Sequence, residues 1–164
     1  MKLYILCVDD EKDILEAVEN DLAPLEEYFH LELANTTSEA ESLIKKIQSQ
    51  GDRVAVLFCD HLMPQENGVE LLVRLHKNLA TQGIRKVLLT GQAGLDATIR
   101  AINEAGLKHY VSKPWDAQEL VRIAKNQMTE YILEEGIDPG AYMPALDHVR
   151  LSHGLRRGQW LSDA

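Results

Sequence analysis

Val54-Ala55-Val56-Leu57-Phe58-Cys59 runs without a polar break into Asp60, and Asp60-His61-Leu62-Met63-Pro64 then turns away, with Gly68 a few residues on. An apolar run this short, closed by turn residues rather than continued at helical spacing, reads as a strand buried on both faces. Outward from it, Leu3 to Val8 ends on Asp9-Asp10, Lys86 to Leu89 ends on Thr90, and Tyr110-Val111 with their flanks lead to Lys113-Pro114. A shorter run, Leu31 to Ala34, supplies a fifth strand after a helix whose end is blurred by Pro24. Between the runs, apolar residues recur at helical spacing: Ile14, Leu15, Val18 and Leu22; Leu43, Ile44 and Ile47; Val69, Leu72, Val73 and Leu75. Five strands alternating with five helices through short links imply right-handed crossovers and a mostly parallel α/β sheet.

The length of 164 residues and 45% hydrophobic content suit one well-buried core and a short appendage. A net charge of -9 argues against sequence-independent binding to nucleic acid, which needs a basic face. No apolar run approaches the roughly 20 residues of a membrane span, and Met1-Lys2-Leu3 does not begin a signal peptide, so a cytoplasmic location is expected. Cys7 and Cys59 each sit in a strand just before a key Asp, as small hydrophobes; without C-x-x-C spacing they make no zinc site. The six histidines show no metal spacing and are read as solvated or locally bonded, with His61 singled out for its place beside Asp60.

Thr36 followed by Glu39 predicts a capping box for the second helix, and Asp116 after Pro114-Trp115 predicts the start of the fifth. Leu120, Ile123, Ala124, Met128, Tyr131 and Ile132 keep helical spacing to about Glu135, beyond what the sheet needs, so the end of that helix is expected to project toward a partner chain. Gly136-Ile137-Asp138-Pro139-Gly140 breaks it. The division is a domain over residues 1–128 and a helical extension with tail over 129–164, too short for an output domain of its own; the tail is read as a dimer contact, as folded onto the domain, or as the start of a linker to an output domain.

The strand ends carry the chemistry, because an open α/β sheet builds its site there. Asp60 suits a nucleophile that forms an acyl phosphate. The like charges of Asp9 and Asp10 repel unless a cation lies between them and Asp60, and Mg²⁺, which takes carboxylate oxygens and a phosphate together, fits. Lys113 supplies positive charge for phosphoryl oxygens, held extended by the proline that follows. Thr90 offers a hydroxyl donor, and Tyr110, three residues before Lys113, a packing readout of the charge change. Trp115 is read as a packing residue beside the site.

In order and spacing, the acidic pair, Asp60, Met63-Pro64 with Gly68, Thr90, Tyr110 and Lys113-Pro114 resemble the receiver domain of bacterial two-component response regulators, over roughly Lys2 to Met128. The resemblance implies a flavodoxin-like sheet of order 2-1-3-4-5 and Mg²⁺ held by Asp10, Asp60 and the carbonyl of Leu62, with Asp9 supporting. It also implies phosphoryl transfer to Asp60 from a phosphohistidine on a sensor histidine kinase or phosphotransfer protein, and engagement of the phosphoryl group by Thr90 and Lys113. The expected reader of the switch is a partner or a second copy, a homodimer through the fourth-helix to fifth-helix face or the tail being one option. Leu62 and Gln92 occupy positions that tune phosphate loss in that family. The Lys-Pro-Trp-Asp run is similar to receivers fused to cyclic-dinucleotide phosphodiesterases or other enzymatic outputs. Two other readings remain at this stage: a degenerate receiver acting as a phosphorylation-independent interaction module, and an aspartyl phosphatase, which would want an acid where Leu62 stands.

Overall fold

The computed structural model of the chain describes residues 1–91 and 95–162. The elements run β1 (Leu3–Val8), α1 (Lys12–Leu22), a 3-10 turn (Ala23–Leu25), β2 (His30–Ala34), α2 (Thr37–Ser49), β3 (Arg53–Asp60) and α3 (Gly68–Lys77). They continue with β4 (Arg85–Thr90), α4 (Leu95–Ala105), β5 (His109–Ser112), α5 (Ala117–Glu135), a second 3-10 segment (Gly140–Ala145) and α6 (His148–Ser162). The five strands are parallel in the order β2-β1-β3-β4-β5, the flavodoxin-like arrangement.

Apolar residues on both faces of the central strands make two cores. Ile5, Cys7 and Phe58 face one side with Leu15, Val18, Leu120 and Met128 of α1 and α5. Leu6, Leu57, Cys59 and Leu88 face the other with Ile44, Leu72 and Ala101 of α2, α3 and α4. Cys7 and Cys59 therefore lie on opposite faces of the sheet, both free and fully buried, and burial pushes both thiols above their ordinary range. The helix starts follow their side chains: Thr36 accepts from Glu39 N at 3.0 Å, and Asp116 accepts from Gln118 N at 2.8 Å. The reciprocal half of the capping box lands one residue early, with Asn35 N donating to Glu39 Oε2 at 3.2 Å.

One departure from the sequence reading has a physical cause. The end of α5 does not project. Gly136, at φ 65°, ends the helix in the left-handed region, and the chain folds back so that Ala145, Leu146 and Leu151 join the core of α1 and α5. Tyr142 stacks on the buried Phe29 with ring centroids 5.4 Å apart. Asp147 N donates to Thr129 Oγ1 at 2.9 Å, and Arg150 pairs with Glu130 at 3.0 Å. A chain ended after Glu135 is expected to lose on the order of 3 kcal/mol, since Leu146 and Leu151 each bury a full aliphatic side chain. Urea denaturation reads this as a lower midpoint; an unchanged midpoint would count against the packing role of the tail.

At the start of β4, Arg85 and Lys86 are both buried. Arg85 reaches Gln127 Oε1 at 3.0 Å and Glu134 Oε1 at 3.1 Å on α5. Lys86, on the other face and 1% exposed, donates to Ile84 O at 2.8 Å and Gln82 O at 3.4 Å. Burial foremost, then Arg85 and Lys108, pulls its ammonium down to about 8. The folded state thus binds fewer protons than the unfolded chain between about pH 8 and pH 10.5, and stability rises with pH across that window. At neutral pH the buried charge opposes folding. Lys86→Met is expected to stabilise the fold by on the order of 1–3 kcal/mol and to flatten the alkaline rise. A urea midpoint that falls, or a rise that persists, would refute this account.

Candidate functional site

The C-terminal ends of β1, β3, β4 and β5 bring together residues far apart in sequence. Asp9 follows β1 directly; its backbone N donates to Ala34 O at 3.1 Å, and its Oδ1 accepts from Glu11 N at 2.9 Å. The acid is thereby fixed between the end of β2 and the entry to α1. Asp60 closes β3, opposite Leu89 of β4. Thr90 closes β4 opposite Ser112, and Lys113 N donates to Thr90 O at 2.8 Å, extending the pairing by one residue.

At the centre is one ammonium between two carboxylates. Lys113 Nζ donates to Asp9 Oδ2 at 2.8 Å and to Asp60 Oδ1 at 3.0 Å. Asp9 is fully buried and Asp60 nearly so, while Asp10 is exposed at the rim. Burial pushes the Asp60 carboxyl up to about 6; the Lys113 hydrogen bond opposes the rise, and Asp9 and Asp10 add to it. Burial draws the Lys113 ammonium down, but its bonds to Asp9 and Asp60 outweigh that and hold it above the usual lysine range. Asp9, Asp10 and Asp60 each offer an oxygen within 4.8 Å of the other two. Oxygen donors of that charge and spacing suit a hard divalent cation such as Mg²⁺. Of the site residues read from the sequence, Asp9, Asp10, Asp60 and Lys113 meet here, with Thr90 at the end of the adjoining strand, and the Lys113-Pro114 bond is cis.

The loop after β3 is held by backbone pairing. Gly68 N donates to His61 O at 2.8 Å, Leu62 and Asn67 form an antiparallel bridge, and Asn67 caps α3 by accepting from Val69 N at 2.8 Å. Gly68 lies against the strand end: a Cβ there would sit 1.8 Å from Asp60 O and 2.9 Å from Cys59 Sγ. Arg74 steadies the loop from α3, pairing with Glu66 at 2.6 Å and with Glu41 of α2 at 2.5 Å. The Leu62 side chain is 67% exposed. Gln92 lies outside the described residues.

Tyr110 points away from the carboxylates and is 53% exposed, beside a groove lined by Ile102, Leu107, Tyr110, Pro114 and Glu119. Ile99 and Ile102 of α4 are exposed, Ile102 within that groove. His61, singled out among histidines read as solvated or locally bonded, is 8% exposed; its Nε2 lies 3.5 Å from Asn67 Nδ2, its Nδ1 has no hydrogen-bond partner among the described residues, and burial lowers its pKa. One feature escaped the sequence reading. Trp115 does more than pack, since its Nε1 donates to Asp21 Oδ2 on α1 at 2.7 Å. Strand alternation hints at an inward His61, but a single indole donor leaves no periodic signal.

A family model for the response regulator receiver domain matches residues 5–125. Among curated proteins, the chain is 30% identical over 159 residues to the hydrogenase transcriptional regulatory protein HoxA of Bradyrhizobium diazoefficiens, covering 94% of this chain but 30% of that one. It is 29% identical over 139 residues to a chemotaxis protein CheY homolog of Campylobacter jejuni, covering 85% of this chain and 98% of the relative. The chain thus spans less than a third of the transcriptional regulator and nearly all of the chemotaxis protein. Among solved structures, the signal receiver domain of an HD domain-containing protein from Pseudomonas fluorescens Pf-5 superposes with a TM-score of 0.71 at 30% identity, covering 82% of this chain and 93% of that one.

Proposed function

Because this chain belongs to the response regulator receiver domain family, we propose that it is a phosphorylation-dependent switch whose phosphoacceptor is Asp60 and whose donor is the phosphohistidine of a sensor kinase or phosphotransfer protein. The observation that carries the reading is Lys113 Nζ shared between Asp9 and Asp60 at the strand ends, with Asp10 close enough to complete an acidic triad.

An Asp60 carboxylate oxygen forms the new bond to phosphorus as the P–N bond of the donor breaks, and the leaving imidazole keeps the electron pair. Lys113 turns its ammonium from the carboxylates to a phosphoryl oxygen, where charge already in place lowers the barrier. Thr90 donates its hydroxyl to another phosphoryl oxygen. Asp10, Asp60 and the Leu62 carbonyl would hold Mg²⁺, with Asp9 supporting from the interior. A bound Mg²⁺ would supply positive charge to the phosphoryl oxygens.

The output is a change of surface. Tyr110 and the exposed Ile99 and Ile102 form the face through which a partner or a second copy reads the state, and the needed bias is only a few kcal/mol. Among the described residues no helix is long and apolar enough to cross a membrane, and we place the protein in the cytoplasm, where sensor kinases present their phosphohistidine. Incubation with Mg²⁺ and phosphoramidate, followed by intact-mass analysis, is expected to give a single phosphoryl adduct that hydroxylamine removes. An unmodified mass with that donor and with a phosphorylated kinase would overturn the assignment.

A further inference from the structure

We infer that Trp115 and Asp21 are positioning residues for Lys113: their hydrogen bond ties the loop carrying the ammonium to the same block of structure that carries the acidic pair. For its kinetic consequence the inference rests on the phosphoacceptor reading above; for its geometry it does not.

The loop between β5 and α5 has few anchors. Lys113 N makes the last bond to the sheet, at 2.8 Å from Thr90 O, and Asp116 opens α5 by capping Gln118 N at 2.8 Å. Pro114 between them has no N–H to give. Trp115 packs its ring against the core of α1 and α5 and sends Nε1 to Asp21 Oδ2 at 2.7 Å. Among the described residues this is the one side-chain hydrogen bond from Trp115, and it reaches the helix that begins directly after the acidic pair. That helix is itself tied to the site, because Glu11 N, at its entry, donates to Asp9 Oδ1 at 2.9 Å.

The contacts form a closed circuit: Asp9 to α1, α1 through Asp21 to Trp115, Trp115 through two peptide links to Lys113, and Lys113 Nζ back to Asp9 at 2.8 Å. Before transfer the circuit is redundant, since the carboxylates alone hold the ammonium. On transfer, Asp60 becomes an acyl phosphate and Lys113 exchanges its Asp60 contact for a phosphoryl oxygen. At that point the backbone anchor decides whether the ammonium stays within reach, and a misplacement of about 1 Å is costly to a group that acts by position.

The test uses the full chain and three substitutions: Asp21→Leu removes the acceptor, Asp21→Asn keeps an acceptor oxygen, and Trp115→Phe keeps a ring without the donor. Adduct formation from phosphoramidate with Mg²⁺ is followed by intact mass, thermal unfolding is recorded alongside, and the Lys113 side-chain resonances are followed by NMR without phosphodonor. Asp21→Leu and Trp115→Phe are expected to slow adduct formation about three- to thirtyfold, with Asp21→Asn within about twofold of wild type. The Asp21→Leu/Trp115→Phe double variant should be no slower than its slower parent, because both break one bond. The Lys113 resonances should shift in Asp21→Leu and return in Asp21→Asn. Wild-type rates in both single variants, losses that multiply in the double, or unmoved Lys113 resonances would each overturn the inference. If wild type itself takes no phosphoryl group, the phosphoacceptor reading falls, and the Lys113 resonances alone decide the tether: a shift that Asp21→Asn restores upholds it, and an unmoved signal sinks it.

Discussion

Asp60→Asn is expected to take no phosphoryl group from phosphoramidate or from a phosphorylated kinase, and at neutral pH without divalent cation to unfold at a higher temperature than wild type. The first effect follows from chemistry: an amide oxygen in place of the carboxylate removes the nucleophile, and neither Asp9, engaged by Glu11 N and Lys113, nor the exposed Asp10 occupies its position. The second follows from the site's own electrostatics. Burial raises the Asp60 carboxyl to about 6 from 3.8, so the folded state binds more protons than the unfolded chain between those values. Stability from this group is therefore present at acid pH, declines as pH rises from about 4 to about 6, and stays lower above. Asparagine removes that ionisation and leaves Lys113 its bond to Asp9, for a gain on the order of 1–2 kcal/mol. Intact mass reads the first effect and thermal unfolding over pH 4 to 8 the second. An adduct on the variant would displace Asp60 as acceptor, and a lower unfolding temperature would show that the carboxylate is held more favourably than its burial implies.

Gly68→Ala should have the second-largest effect, for a purely steric reason. The added methyl carbon would meet Asp60 O at 1.8 Å and Asp60 C at 2.9 Å, a backbone contact that no rotamer relieves. Either α3 moves away from the end of β3 or the chain bearing Asp60 is displaced. Moving α3 breaks the bond from Gly68 N to His61 O and disturbs a helix whose Val69, Leu71 and Leu72 are fully buried. A cost of about 3 kcal/mol or more is expected, at the upper range for a single overpacked methyl group, with adduct formation slowed at least tenfold in whatever fraction stays folded. Gly51→Ala is a fair comparison, because it has nothing within 4 Å and only its φ of 80° to oppose it. Equal losses in the two variants would mean that close approach is not what requires Gly68.

Much of this architecture could be read from the chain because its strands are buried on both faces. A run such as Val54 to Cys59 has little alternative to the middle of a parallel sheet, and the turn residues after it fix where the acids stand. The start of β4 was harder to read. Lys86 opens the apolar run and Arg85 precedes it, yet both are buried within β4, one satisfied by Gln127 and Glu134 of α5, the other by two carbonyls. Those partners are more than forty residues away for Arg85 and three-dimensional in origin. The tail was harder still. Pro139, Pro144 and three glycines interrupt any period over 136–154, and Ala145, Leu146 and Leu151 show their burial only once Phe29 and α5 are in place to receive them. Within the site, carboxylates and lysine announce themselves by type and position. The Trp115 contact does not, since nothing in sequence marks which acid an indole will reach.

The refolded tail bears on how this receiver is exchanged between proteins. The family match ends at residue 125, inside α5, yet Met128, Tyr131, Ile132 and Leu151 beyond it are buried in the same core as Val18 and Phe58. A chimaera spliced at the family boundary would sever the last turns of α5 and strand Phe29 without its stacking partner. A splice placed after α6 keeps that core whole, and any graft onto a foreign effector should carry the receiver with its own coda attached.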